Sequence, residues 1–267
     1  MNASTQAVAA EPLVLRQDAG GVVTLTLNRP AQFNSLSQAL MSELQAELDR
    51  VAADAAARVV VLGGAGKAFC AGHDLKEMRS NPAKAFQLAL FAQCSKLMLT
   101  LVRMPQPVIA RVHGIATAAG CQLVSMCDLA VASDHARFAV SGVNLGLFCS
   151  TPSVGLARNL GRKQAMEMLL TGDFIDAQTA LARGLVNRVV ALEQLDVEIG
   201  KLSDSILAKT PVAIKAGKQM FYRQLDMGLE GAYDLATEVM ACNMMAEDAQ
   251  EGIDAFVAKR KPQWRGR

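Results

Sequence analysis

Strand-like and helical patterns alternate from residue 22 to residue 190, and this alternation restricts the possible folds more than any other feature of the chain. Residues 22–27 alternate as a half-buried strand does. Residues 59–62 are a short apolar run, typical of a strand that is covered on both faces. Helical spacing of apolar residues follows each of these two runs. The alternation predicts an α/β fold with a mainly parallel, layered sheet.

The same patterns predict the remaining elements and a domain organisation. Further strands are expected at 108–112, 129–132, 137–140 and 185–190, and helices at 37–53, 83–103, 118–126, 151–159, 162–170 and 176–183. From residue 192 onward the pattern is helical to about residue 259. We therefore expect a flexible tail at 1–11, an α/β core at 12–200 and a helical region at 201–267.

Charge and composition exclude several classes of protein. The net charge is +2, which is too small to indicate nucleic acid or an anionic membrane as a partner. The longest apolar region, 108–133, is interrupted by polar and charged residues and is not expected to span a membrane. Residues 1–12 contain no basic residue and no long apolar run, so a cytoplasmic protein is expected. The six cysteines lack metal-ligand spacing, and we predict reduced thiols and no metal site.

Two stretches carry the strongest functional signal. Residues 67–76 (KAFCAGHDLK) and 114–123 (GIATAAGCQL) each run from a strand-like segment through small residues into a helix. Two such turns lying side by side can direct two backbone N–H groups at one oxygen. That arrangement is an oxyanion hole, which stabilises negative charge developing on a carbonyl.

The common cofactor motifs are absent from the chain. A dinucleotide-binding glycine pattern starting at Gly64 would require glycine where Phe69 stands. A phosphate-binding loop ending at Lys67 would require Val61 to be glycine and Ala68 to be serine or threonine. We expect no cofactor other than coenzyme A carried by the substrate, an expectation that depends on the following resemblance.

In the order and spacing of its motifs, the chain resembles the crotonase (enoyl-CoA hydratase/isomerase) superfamily over residues 12–262. Besides the two stretches, the resemblance rests on residues 28–30 (NRP), 34–36 (NSL), 170–173 (LTGD) and 251–262, and on Gly146, Pro152 and Gly155. It implies a β/α spiral core and a C-terminal helical region that packs homotrimers, often in pairs. It also implies an acyl-CoA substrate and a lyase or isomerase reaction through an enolate, as in fatty acid metabolism.

The resemblance also implies roles for particular residues. The two oxyanion amides fall on His73 and Ala119. Substrate contacts fall on Lys67, Ala71, Gly72, His73, Asp74, Leu75, Lys76, Ala119 and Gly120. Lys67 or the cluster at 259–261 would meet the phosphates of coenzyme A.

Both carboxylates of the family's hydratases are missing. Hydration needs a base for the water and an acid for the α-carbon, and two glutamates serve in the hydratases. Gln122 stands at the first of these positions and Gly142 at the second. Hydration by two glutamates is therefore not expected, although both positions remain candidates for contact with the reacting carbons.

Other residues leave several functions open. Asn144 can hold a water or a substrate oxygen, or serve as a turn residue. Asp74 favours a helix cap, and Cys149 a buried thiol. The alternatives are an enzyme with a different acid–base group, a catalytically silent thioester-binding protein, and a carbon–carbon bond-forming synthase of the dihydroxynaphthoyl-CoA type. The synthase has glycine where Gly142 stands but aspartate where Cys149 stands.

Overall fold

A computed structural model describes residues 11–267, and the predicted tail at 1–11 lies outside them except for Glu11. Ten strands form two sheets in this part of the chain. The strands are β1 (Val14–Ala19), β2 (Val22–Leu27), β3 (Val59–Gly64), β4 (Ala68–Cys70), β5 (Val108–Val112), β6 (Ile115–Thr117), β7 (Leu129–Ser133), β8 (Arg137–Ala139), β9 (Ile175–Asp176) and β10 (Arg188–Val190). The larger sheet has the order β1-β2-β3-β5-β7-β10 and the smaller one β4-β6-β8-β9. All neighbouring pairs are parallel except β1–β2 and β8–β9.

Eleven α-helices are described over the same residues. They are α1 (Gln38–Ala53), α2 (Leu75–Ser80), α3 (Lys84–Arg103), α4 (Ala119–Met126), α5 (Ser150–Asn159), α6 (Arg162–Thr171), α7 (Ala177–Arg183), α8 (Leu195–Leu207), α9 (Pro211–Gln224), α10 (Leu229–Met244) and α11 (Glu247–Val257). Ser37 caps α1 by accepting a hydrogen bond from Leu40 N. Gly184 ends α7 in the left-handed conformation.

The apolar run of β3 is buried on both faces of the larger sheet, as predicted. Val60 and Leu62 belong to the main core, together with the inward residues of α1, α3 and α4. Val59 and Val61 belong to a second cluster, which Leu195 and the rest of α8 cover. The predicted boundary near residue 200 therefore falls inside a helix that packs on the core sheet. The division into two regions stays a prediction.

Four strands have no range of their own in the sequence predictions. β1 exposes most of its residues and pairs antiparallel with β2, so it lacks an apolar pattern. β4 and β6 have three residues each and β9 has two, too few to show a period. The predicted strand at 185–190 is shorter, because only residues 188–190 pair with β7.

Within residues 11–267, one helix, α3, is long and apolar enough to cross a membrane by length and composition alone. Its inward stripe is nevertheless buried in the main core.

A buried ion pair attaches α9 to the core. The Lys218 ammonium donates to Asp128 Oδ2 at 2.6 Å and to the carbonyl oxygens of Leu101 and Gln106, both at 2.8 Å. Its side chain is only 6% exposed. The same Asp128 oxygen accepts a hydrogen bond from Val108 N at the start of β5. One carboxylate therefore links the helical region to a central strand.

Candidate functional site

The two glycine-containing stretches meet because the strands that precede them are paired. β4 and β6 are parallel neighbours, with Ala68 opposite Ile115 and Cys70 opposite Ala116. Parallel strands end at the same edge of a sheet. The turn after β4, which leads to α2, therefore lies beside the turn after β6, which leads to α4.

Glycine permits the close approach of the two turns. Gly72 has φ +92°, and a Cβ built there would lie 2.9 Å from the Ala118 Cβ and 3.3 Å from Ala119 N. A Cβ at Gly120 would overlap the carbonyl of Cys70. Both glycines are buried, and neither lines the cavity that opens beside the turns. Their role is to bring the backbones of residues 72–73 and 118–119 together.

The main-chain N–H groups of His73 and Ala119, the two predicted oxyanion amides, belong to these neighbouring turns. Gly72 O and Asp74 N bond to Leu36 at 2.7 and 3.2 Å, and the intervening His73 amide points to the other side of the extended backbone. Ala119 is the first residue of α4, so its N–H has no carbonyl partner within the helix. In the described part of the chain, neither N–H donates to a turn or loop carbonyl. The helix dipole of α4 adds a positive potential at Ala119.

A cavity of about 410 Å³ opens at this point. Its lining includes five predicted site residues and a mostly apolar wall from α2, α3 and the segment 141–152. The predicted residues are Ala71, His73, Leu75, Ala119 and Gly142, and the others are Met78, Phe91, Ala118, Ser141, Leu145, Leu147, Phe148, Cys149, Ser150, Thr151 and Pro152. The cavity is therefore bordered by both residues that were predicted to supply oxyanion amides.

The residue between β6 and α4 has a strained backbone. Ala118 has φ +50° and ψ −120°, a conformation that glycine adopts readily and that alanine rarely does. Ala118 N donates to Ala139 O at 2.9 Å, which holds the strained residue against β8. The strain positions Ala119 N beside Gly72.

We expect Ala118→Gly to stabilise the protein by about 1 kcal/mol, because glycine relieves the positive-φ strain. Urea unfolding of the variant and the wild type measures the difference. The control is Ala92→Gly at an exposed position inside α3, where the same exchange should cost about 0.5–1 kcal/mol. Equal losses at both positions would contradict the strain at Ala118.

The His73 side chain is a neutral, enclosed imidazole. Its ring packs edge-on against Phe91 with 5.4 Å between ring centroids. Neither ring nitrogen has a hydrogen-bond partner in residues 11–267. Burial lowers the pKa of His73 below its usual 6.5, although the nearby Leu36 backbone opposes the shift. At neutral pH the imidazole is uncharged.

Acidification is expected to destabilise the protein through this imidazole. The folded state binds the His73 proton less readily than the unfolded state, whose pKa is about 6.5, so the contribution of His73 is complete above that pH and is lost below it. The pKa of His113 is lowered in the same direction, also mainly by burial. Urea unfolding at pH 7 and at about pH 5.5 should show a smaller acid-induced loss in His73→Gln than in the wild type. Identical losses would contradict the assignment.

Gly142 stands at the position of the second glutamate of the family's hydratases, and Cys149 packs against it. Gly142 N donates to Cys149 Sγ at 3.3 Å. A Cβ at Gly142 would overlap the carbonyl oxygen of Leu147 and lie 2.7 Å from Cys149 Sγ. Burial raises the pKa of the Cys149 thiol, which favours its protonated form. As predicted, Cys149 is a buried thiol, and it lies in the cavity wall.

Several predicted site residues are not brought to the cavity. Gln122 is buried behind the lining, and its Oε1 accepts no hydrogen bond within residues 11–267. Asn144 faces away: a Cβ at Gly172 would lie 3.1 Å from its Nδ2. Asn144 therefore lies outside the cavity lining, and its contact with substrate stays a prediction.

The charged candidates lie outside the lining as well. Asp74 caps α2 by accepting from Lys76 N and Glu77 N, as predicted, and pairs with Arg29 at 3.1 Å. Burial would raise the pKa of Asp74, but these hydrogen bonds and Arg29 lower it overall. Lys67 and Lys76 are exposed, as are residues 259–261, where Arg260 pairs with Glu251.

Most of the cavity wall was not predicted from the sequence. Ser141 is a polar lining residue, and its Oγ lies 3.0 Å from Thr117 Oγ1. Phe91 comes from α3 and Phe148 from the segment before α5, far from both turns in sequence. A recognisable signal was the run of large apolar residues at 145–148 within an irregular segment. Among the described residues, no group of three potential metal ligands occurs.

Comparison with known proteins identifies the family. The family model for enoyl-CoA hydratase/isomerase matches residues 17–267. The Xenopus laevis enoyl-CoA hydratase domain-containing protein 3, mitochondrial, is 45% identical over 95% of this chain and 86% of its own length. The Escherichia coli 2,3-dehydroadipyl-CoA hydratase is 35% identical over 97% of this chain and 100% of its own. The crystal structure of a Mycobacterium smegmatis enoyl-CoA hydratase superposes with a TM-score of 0.94 at 58% identity, covering 95% of this chain and 99% of that one.

The relatives whose names state a compartment contradict the predicted cytoplasmic location. The Xenopus, mouse and human relatives are all named as mitochondrial proteins, which points to mitochondria rather than to the cytoplasm. The prediction rested on the composition of residues 1–12 alone.

Three observations indicate the same family. They are the match to the family model, the sequence identities above 30%, and the pairing of two strand-to-helix turns at one cavity. The chain therefore belongs to the enoyl-CoA hydratase/isomerase (crotonase) family.

Proposed function

We propose that this protein binds an acyl- or enoyl-CoA thioester and polarises its carbonyl with the main-chain N–H groups of His73 and Ala119. Membership of the family supports thioester binding and a hydratase-like function. The observation that carries the finer proposal is the paired ends of β4 and β6, which open on one cavity. Negative charge on the oxygen would meet two fixed donors and the N-terminus of α4.

An enolate is the intermediate that this arrangement suits best. Removing a proton from the α-carbon of a thioester moves charge onto the oxygen between the two donors. Each donor of a comparable oxyanion hole contributes about 3–4 kcal/mol to the transition state. In a thioester with a β,γ double bond, return of the proton at the γ-carbon completes an isomerisation. In a hydration, the enolate forms when water adds to the β-carbon of an α,β-unsaturated thioester, and protonation of the α-carbon completes the reaction.

A catalytically silent binding protein is the second candidate. Within the described lining, only His73 and Cys149 carry titratable side chains, and burial favours the neutral form of each. A thioester would then be held without an effective acid or base. The absence of aspartate at Cys149 gives the carbon–carbon synthase less support than either of these candidates.

A matched pair of ligands tests recognition of the thioester oxygen. Acetyl-CoA and S-ethyl-CoA differ only at the carbonyl group, which is a methylene group in S-ethyl-CoA. The CoA portion therefore contributes the same binding free energy to both. Two hydrogen bonds to the oxygen predict at least about tenfold tighter binding of acetyl-CoA in calorimetry. Equal affinities would refute the oxyanion assignment.

Proton exchange separates the enzyme from the silent binder. Butyryl-CoA incubated with the protein in D₂O should take up deuterium at the α-carbon if an enolate forms, and mass spectrometry detects the gain. His73→Gln keeps the main-chain amide and tests whether the imidazole moves the proton. Tight binding with no exchange would favour the silent protein.

We also propose that the chain assembles as a homotrimer through α9–α11. These helices expose large apolar side chains, including Leu229 at 76% and Phe256 at 85%, that a partner would cover. Light scattering during gel filtration should give three or six times the 28.4 kDa chain mass. A monomer would contradict the proposal.

A further inference from the structure

The wall beyond the two turns carries no charged side chain of lysine, arginine, aspartate or glutamate among residues 11–267. Its large side chains are apolar: Leu75, Met78, Phe91, Leu145, Leu147 and Phe148. The polar side chains of this part of the wall are the small hydroxyl groups of Ser141, Ser150 and Thr151.

From this wall we infer that the acyl group bound by the protein is an uncharged aliphatic chain, selected over an acyl chain of equal length that ends in a carboxylate. The inference rests on the proposed thioester binding and names the acyl class for the same site. Methylene groups gain free energy by leaving water for such a wall. A carboxylate loses hydration there and finds no lysine or arginine in the lining to compensate.

The cation Arg29, which lies beside Asp74, is already engaged. It donates to Asp74 at 3.1 Å and to the carbonyl oxygen of Ser35 at 2.7 Å. Glu77 accepts from Gln38 N at 3.0 Å and adds a second carboxylate near the start of α2. Arg29, Asp74 and Glu77 therefore offer an acyl carboxylate no free cation. The Lys76 side chain is exposed and lies outside the lining.

The exposed apolar side chains of the segment 145–148 identify where the chain would lie. Leu145 is 61% exposed, Leu147 51% and Phe148 47%, although all three line the cavity. The same cavity contains His73 and Ala119, so a thioester held by those amides extends its acyl chain directly along this apolar segment. An aliphatic occupant would cover side chains that are otherwise in contact with water.

The experiment compares hexanoyl-CoA with adipoyl-CoA, which have the same number of acyl carbons. They differ only in a terminal methyl group against a terminal carboxylate, and the family includes a relative named for a dehydroadipyl thioester. Competition binding at neutral pH should give a Kd at least about 100-fold lower for hexanoyl-CoA. Affinities within about threefold of one another would overturn the inference.

A pair of variants tests the wall itself. Leu147→Arg places a cation beside the acyl chain and should reduce the preference at least about tenfold by improving adipoyl-CoA binding. Leu147→Gln adds polarity without charge and should weaken hexanoyl-CoA with no gain for adipoyl-CoA. If Leu147→Arg gives no gain for adipoyl-CoA while its hexanoyl-CoA affinity also stays unchanged, the acyl chain does not lie along this segment and the inference fails.

Failure of the inference is distinguishable from failure of the proposed function. If hexanoyl-CoA and adipoyl-CoA bind equally and both more tightly than free CoA, the acyl selectivity is wrong and thioester binding stands. If neither binds more tightly than free CoA, the proposed function fails and the inference fails with it.

Discussion

Crotonyl-CoA is expected to be hydrated by this protein at least about 10⁴-fold more slowly than by a family member that has both carboxylates. General acid–base groups contribute about 10²–10⁴-fold each, and the two family positions hold Gln122 and Gly142. An amide and a hydrogen atom cannot activate water or protonate the α-carbon at neutral pH. Loss of the ultraviolet absorbance of the conjugated enoyl thioester measures the rate directly. A rate within about tenfold of such a hydratase would refute this account of the missing carboxylates.

Restoring the carboxylates separates the two positions. Gln122→Glu places a carboxyl group on the first turn of α4 without adding a heavy atom. Gly142→Glu is expected to fail, because its Cβ would overlap the Leu147 carbonyl oxygen and crowd Cys149 Sγ. Gly142→Ala has the same conflict and serves as its control, so both should lower the melting temperature. A double variant that hydrates crotonyl-CoA rapidly and remains stable would contradict the tight packing of residues 142–149.

Lys218→Met is expected to lower the free energy of unfolding by about 3–5 kcal/mol. The substitution leaves Asp128 buried without its cation and leaves the Leu101 and Gln106 carbonyl oxygens without this donor. Urea unfolding measures the loss, and circular dichroism checks that the variant still folds.

The matched control for this prediction lies on the same helix. Lys215→Met changes an exposed lysine three residues earlier and should alter stability by less than about 0.5 kcal/mol. A loss below about 1 kcal/mol for Lys218→Met would mean that Asp128 remains solvated or finds another partner.

The parts of the fold predicted best are those with a continuous apolar period. The sequence of β3 is apolar throughout because both faces of the strand contact apolar neighbours. In α1, the buried apolar residues recur at helical spacing over four turns. β4 and β6 have three residues each and gain their structure from pairing with one another. Because the pairing partner lies about 47 residues away, these strands show no local period, and the sequence indicates only a strand-like segment without bounds in each stretch.

The candidate site was predictable where it is made of backbone and less so where it is made of side chains. The small residues around Gly72 and Ala119 already indicated two turns. Asn144 looked polar enough for a role in the chemistry, but the turn that ends at Gly146 directs it towards Gly172. The apolar wall comes from three distant segments that only the fold brings together.

The register between β4 and β6 has a consequence for how chemistry changes in a protein of this kind. Both donors belong to peptide groups, so exchanging a side chain at either position leaves them in place unless the new residue is proline. Acid and base groups are side chains and can be lost or gained one at a time. A lineage can therefore lose its original reaction and still keep two main-chain donors that would polarise a carbonyl. A new acid or base side chain beside them would then be enough for a different reaction.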